Sequence, residues 1–139
     1  MFDLHDLVLS THDAAVLSAA VTDWPARVPS EQAAAELLAA TLAGAHLVSD
    51  RSTASGYVAL DATVTYDELP AGRRRTVTLV HPARADASLA RVSLFTPVAR
   101  TLLGRRAGAS VPARLPDRSI RELRIVSVER EGGGHVDPL

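Results

Sequence analysis

The chain contains no cysteine and no lysine. The first absence excludes disulfides, thiol catalysis and cysteine-bound zinc or iron–sulfur sites. Aromatic residues are scarce: one tryptophan, two tyrosines and two phenylalanines in 139 residues. A stacking platform for single-stranded nucleic acid needs more than that. No apolar run approaches the roughly 20 residues of a membrane span. The segment Met1–Asp6 has no basic residue ahead of its apolar stretch, so no secretory signal is expected. These absences lead to the expectation of a cytoplasmic protein with no membrane partner.

What remains is the composition of a packed domain, with 47% hydrophobic and 22% charged residues, which argues against disorder. All 15 basic residues are arginine, and they are segregated. Residues 1–70 hold two arginines against ten acids, and residues 71–139 hold thirteen against six. The net charge of −1 therefore conceals an acidic first half and a basic second half. Such asymmetry suits oriented docking on a large charged partner.

Residues 10–46 carry helical periodicity. Ser10 or Thr11 can cap a first helix with Asp13 in its first turn, and Ala14, Leu17, Ala20 and Val21 form one apolar stripe. Pro25 and Pro29 bracket a break, so this helix should stop near Asp23. Ser30 and Glu31 open a second helix, with Ala34, Leu37, Leu38, Thr41, Leu42 and Ala45 as its apolar face. Two such helices pair as a stubby antiparallel hairpin, each about 21 Å long. Its tip carries Asp23, Trp24, Arg27 and Glu31. Trp24 either covers the hairpin core or stands out as a binding anchor.

Small polar residues over 49–56 read as a linker, dividing a hairpin domain (1–50) from a second domain (51–139). From Tyr57 the period changes to two. Strands are expected over Tyr57–Tyr66 and Arg73–Val80, with a turn over Asp67–Gly72 between them. Further strands are expected around Val92–Leu94, Val111–Leu115 and Ile120–Val128, and the tail from Gly132 should be loose. Thr96-Pro97 is a helix start, the hydroxyl capping and the proline favoured in the first turn, and Gly104 is a stop. The fold class is α+β: a short N-terminal antiparallel helical hairpin followed by an antiparallel β-sheet domain with one short helix.

Signals for catalysis are weak. The histidines at 5, 12, 46, 81 and 135 show no metal-ligand spacing. Ser10, His12 and Asp13 have the residue types of a hydrolase triad, but neighbours at one helix start cannot converge as one. Gly104–Gly108 lacks the ending of a phosphate-binding loop. No catalytic residue, metal or cofactor is expected. Arg73, Arg74 and Arg75 form a basic triplet on a strand, with Arg73 and Arg75 on one face. They read either as a contact surface or as charge protecting an edge.

The stretch Val92–Gly104, followed by Gly108, resembles the S-P-x-[GA]-x-A-L-L-G-x-x-x-G segment of the bacterial Gre transcript-cleavage factors. The order of strands around it agrees over about residues 57–130. The short N-terminal hairpin is most similar to the branch called regulator of nucleoside diphosphate kinase. The resemblance implies an FKBP-like C-terminal domain that binds RNA polymerase at the rim of its secondary channel. It places Phe95, Thr96 and Pro97 at the docking surface, threonine keeping the capping hydroxyl of the family's serine. Gre factors carry adjacent acids at the tip of a long hairpin, which help hold a magnesium ion. This hairpin is short, and its tip has only Asp23 and Glu31. The resemblance thus implies a non-enzymatic regulator that competes with Gre factors without stimulating cleavage. Weak contact with nucleic acid through Arg73 and Arg75 is a further expectation. The alternatives are an FKBP-type prolyl isomerase, for which Tyr57, Tyr66 and Phe95 are few pocket aromatics, and an interaction module using the arginine-rich face.

Overall fold

A computed structural model describes residues 6–24, 29–49, 56–115, 118–130 and 134–136. Helix α1 (Thr11–Asp23) begins at Ser10, whose hydroxyl accepts the Asp13 N–H at 3.1 Å and satisfies one of the orphan donors of the first turn. Its stripe buries Leu17 and Ala20. Helix α2 (Pro29–Gly44) buries Ala34 and Leu38, four residues apart on one face. Leu37 was expected on that face but is 55% exposed, because the buried stripe of α2 is only one residue wide at this level.

Two three-residue strands tie the root of this hairpin together. Strand β1 (Val8–Ser10) runs parallel to β2 (His46–Val48), so the residues before α1 and after α2 are hydrogen-bonded neighbours. The sequence reading contained neither strand, since three residues are too few to show a period. The Val8 N–H donates to the Gly104 carbonyl at 2.9 Å, fastening this root to the rest of the molecule.

The main sheet has six strands: β3 (Thr63–Leu69), β4 (Arg73–Val80), β5 (Arg91–Ser93), β6 (Ser110–Arg114), β7 (Ile120–Arg130) and β8 (Gly134–Val136). Their order is β5-β4-β3-β7-β6, with β8 also on β7. All pairings are antiparallel except β4–β5, which is parallel. The β3 register against β7 shifts at Thr65/Tyr66, marking a bulge. Helix α3 (Pro97–Leu102) packs beside β6.

Three boundaries differ from expectation. Residues 57–62 are not a regular strand: Tyr57 makes a single bridge to Arg106, and Asp61 adopts φ 66°. Their backbone groups have other partners, with Val58 N–H on Arg105, Asp61 N–H on Leu79 and Leu60 N–H on the Asp13 carboxylate. At the other end, β3 continues through Asp67 and Glu68 to Leu69, so the turn shrinks to Pro70–Gly72. Cross-strand arginines supply those two acids with partners, which makes extended backbone favourable there. The tail is partly ordered, since β8 pairs with β7.

One cluster of buried side chains joins the hairpin to the sheet. It holds Leu9, Leu17 and Leu38 together with Val64, Leu79, Leu102, Leu123 and Ile125. The helices therefore lie along the sheet domain rather than projecting from it as an arm. The expected linker falls mostly on residues 50–55, outside the described residues, as does the 50/51 boundary.

Candidate functional site

The Phe95-Thr96-Pro97 loop leaves the end of β5 and turns into α3. Thr96 uses its hydroxyl twice: it donates to the Ser93 carbonyl at 2.8 Å and accepts from the Ala99 N–H at 3.4 Å. Pro97 fills the first helical position, where no donor is required. The Phe95 N–H donates to Ser93 Oγ at 3.0 Å, and the Phe95 carbonyl accepts from Arg100 at 3.4 Å. The main chain is thus pinned from both sides, while the side chains of Phe95, Thr96 and Pro97 remain only half-buried. A rigid loop with partly exposed apolar groups loses little entropy when it docks.

The hairpin tip comes to the same place. Trp24, the residue that ends α1, meets Phe95 edge-to-face at 6.1 Å and 89°, and His81 at 5.9 Å and 74°. Such arrangements suit the charge distribution of aromatic rings. The indole Nε1–H donates to Glu31 Oε2 at 2.7 Å. Trp24 is half-buried, so it both covers a flank of the domain and keeps part of its ring at the surface. An open cavity of about 350 Å³ lies beside it, lined by Val16, Ala19, Ala20, Asp23, Trp24 and His81. Asp23 is exposed at its edge. Arg27 lies outside the described residues.

Residues some seventy positions apart therefore converge: Asp23, Trp24 and Glu31 from the hairpin, and Phe95 with its loop from the domain. Sequence reading missed the third member, His81, which it weighed only among the histidines that lack metal-ligand spacing. His81 Nδ1 accepts from the Ala83 N–H at 3.1 Å, fixing the ring that meets Trp24.

Arg73 and Arg75 do not join this cluster. They start β4, whereas His81 follows its end, about 20–26 Å away at the rise of a strand. Arg75 is paired with the buried Glu68 at 2.9 Å, and Arg73 faces Glu68 in the register. Arg74 grips Asp67 through two bonds of 2.9 and 3.2 Å. That hydrogen bond, and then the arginine charges, hold the Asp67 carboxyl below its ordinary value. Burial, and then the Glu68 charge, push the Tyr66 hydroxyl up.

Among the described residues no three histidine or acidic side chains gather as a metal cage, and no helix is long and apolar enough to cross a membrane. Glu31 is engaged by the indole. Tyr57 and Tyr66 are buried in the core.

A family model described as transcription elongation factor, GreA/GreB, C-terminal, matches residues 53–130. Transcription elongation factor GreA of Bacillus cereus strain AH187 is 35% identical over 83 residues, covering 60% of this chain and 52% of that protein. GreA of Bacillus licheniformis is 36% identical over 72 residues, covering 52% of this chain and 46% of that relative. The chain spans about half the length of the curated relatives it matches. A solved structure, the prokaryotic transcription elongation factor GreA/GreB from Nitrosomonas europaea, superposes with a TM-score of 0.69 at 26% identity. That match covers 89% of this chain and 98% of the other, so it includes the short hairpin as well as the sheet.

Proposed function

From the premise that the chain belongs to the GreA/GreB C-terminal family of transcription elongation factors, we propose that it is a non-enzymatic regulator of transcription. It binds RNA polymerase in the cytoplasm, near the secondary channel, through Phe95, Thr96 and Pro97. It competes there with cleavage-stimulating Gre factors and does not itself stimulate transcript cleavage, in the manner of the regulator of nucleoside diphosphate kinase branch.

The observation that carries this reading is the placement of the hairpin tip. Trp24 rests on Phe95, and its indole holds Glu31. Holding a catalytic magnesium ion requires carboxylate oxygens at about 2.0–2.1 Å from the metal. A tip turned onto its own domain, with one of its two acids engaged, offers no adjacent pair, and residues 25–28 contain no acid. The docking loop, by contrast, is capped, rigid and partly exposed. Binding without cleavage is the consequence.

The test is retention of the chain on immobilised bacterial RNA polymerase at moderate salt, with displacement of a Gre factor and a cleavage assay on stalled complexes. Wild type should bind, displace the Gre factor and leave the transcript intact. Thr96→Ala and Pro97→Ala should bind less. Failure of the wild type to bind, or transcript cleavage above background, overturns the reading.

A further inference from the structure

Helix α1 ends on a charge that its own geometry disfavours. Asp23 is the last residue of the helix, where the peptide dipoles sum to a negative pole, and no basic residue lies in that turn. Among the described residues Asp23 has no hydrogen-bond or ion-pair partner, whereas Asp13, Glu31, Asp61, Asp67 and Glu68 each have one. Exposed and unmatched there, the carboxylate opposes the helix rather than supporting it.

Beside it lies the open cavity of about 350 Å³, whose other walls differ in character. Val16, Ala19 and Ala20 supply an aliphatic side, and the Trp24 indole and the His81 ring an aromatic one. The indole is held in place by Glu31 at its Nε1–H and by the edge contacts with Phe95 and His81. Carboxylate, negative helix pole and indole all attract a cation. The aliphatic side calls for an apolar stem on the same group.

We propose that this cavity takes a basic side chain, lysine or arginine, of a protein partner. The charged head meets Asp23, and the methylene stem lies along Val16, Ala19 and Trp24. A bare metal ion fits badly, since it needs several oxygen ligands and the cavity offers one carboxylate. A neutral apolar side chain would fill the walls but strip water from Asp23 and return nothing. For the partner's identity this rests on the polymerase reading, because Trp24 touches Phe95 of the docking loop. The chemistry of the cavity stands apart from it.

Trp24 is the only tryptophan of the chain, so its emission reports occupancy of the cavity directly. The full chain is titrated to millimolar concentration with acetyl-Gly-Ser-Arg-Ser-Gly-amide, and with the same peptide carrying citrulline, which keeps the shape and loses the charge. The arginine peptide should shift the emission in a saturable, salt-sensitive manner, and the citrulline peptide should not. Asp23→Asn should weaken binding by about threefold to fivefold, the range of an exposed ion pair. It should leave the urea midpoint unchanged or raise it, because a charge opposed to the dipole is gone. Ala19→Leu, at an exposed position on the aliphatic side, should block the peptide. Equal binding of the citrulline peptide, no saturable response to the arginine peptide, or no effect of Asp23→Asn overturns the proposal. So does a lowered urea midpoint for Asp23→Asn, which would make the carboxylate structural. A parallel arm measures retention on RNA polymerase. If wild type and Asp23→Asn are retained equally, the cavity proposal fails and the regulator reading stands. If wild type is not retained yet the peptide results hold, the regulator reading fails and the cavity stands.

Discussion

Two arginine clusters occupy this molecule, and they differ in what faces them. On β4, Arg74 and Arg75 are matched by Asp67 and Glu68 on β3, and Arg73 sits opposite the same Glu68. Where α2, α3 and β6 meet, Arg100, Arg105 and Arg114 line one groove whose wall, among the described residues, carries no acid, and Arg100 is held there by the Phe95 carbonyl instead. The first cluster is contiguous in sequence and conspicuous. The second is scattered over fifteen residues and three structural contexts. Cross-strand acids pair Arg74 and Arg75 and leave one positive charge in the conspicuous run, so a run of basic residues is a poor guide to how much charge it presents. What matters is whether the neighbouring strand places carboxylates at the opposing positions.

The acids bound by specific donors are where that contrast can be broken, and Asp13 gives the largest effect. It is 2% exposed, and its Oδ2 accepts the Leu60 N–H at 3.2 Å, joining α1 to the segment that precedes β3. Removing the carboxylate orphans a backbone donor next to the core. Asp13→Ala should lower unfolding free energy by about 2 kcal/mol, the range for a hydrogen bond to a charged group. Asp13→Asn, which keeps an acceptor, should lose less. Urea denaturation measures both, and equal midpoints for wild type and Asp13→Ala would show that the hairpin does not depend on this clamp.

Glu68→Ala acts on the matched cluster itself. Glu68 is buried, but its partner Arg75 is about half exposed, so solvent screens the pair. The expected loss is about 1 kcal/mol. A second readout separates this from simple packing. The Glu68 charge is the second cause, after burial, of the raised Tyr66 value, while the nearby Arg75 charge pulls it down. Without the glutamate the Tyr66 titration should move part of the way back, as followed by tyrosine absorbance against pH. An unmoved titration would mean that burial alone sets it.

How far the sequence could be read follows from the range of each signal. The Ser10 cap, the stripe of Leu17 and Ala20, and the Thr96-Pro97 start of α3 are local, and the structure carries all three. Alternation marked β4, β6 and β7. The parallel β1–β2 pair links residues nearly forty positions apart through three-residue strands, and no period could reveal it. Asp13 looked like a charge set against the helix dipole, because only its tertiary neighbour discloses that it is a clamp. The meeting of Trp24 with His81 and Phe95, and the groove arginines, depend in the same way on how the hairpin lies along the sheet. Asp67 and Glu68 read as turn residues because their partners follow the turn rather than precede it.

The smallest expected effect concerns Asp67, and its sign is definite. The hydrogen bond from Arg74, then the charges of Arg74 and Arg124, hold the carboxyl below its ordinary value in the folded chain. A group depressed on folding stabilises the fold above its unfolded value, about 3.9 for aspartate. That contribution fades as pH falls through the lower, folded value. The stability gap between wild type and Asp67→Asn should therefore be constant near neutrality and close in acid below about pH 4. Asp86, also depressed by its bonds to Ser88, titrates in the same window but is common to both proteins and cancels in the difference. Because the Arg74 side of the pair is exposed, raising salt should shrink the neutral gap. Denaturant midpoints at low and high salt, followed from neutral to acid pH, measure this. A gap that ignores pH would mean that Arg74 is not bound to Asp67 in solution, and the β4 cluster would then keep only the Arg75–Glu68 pair.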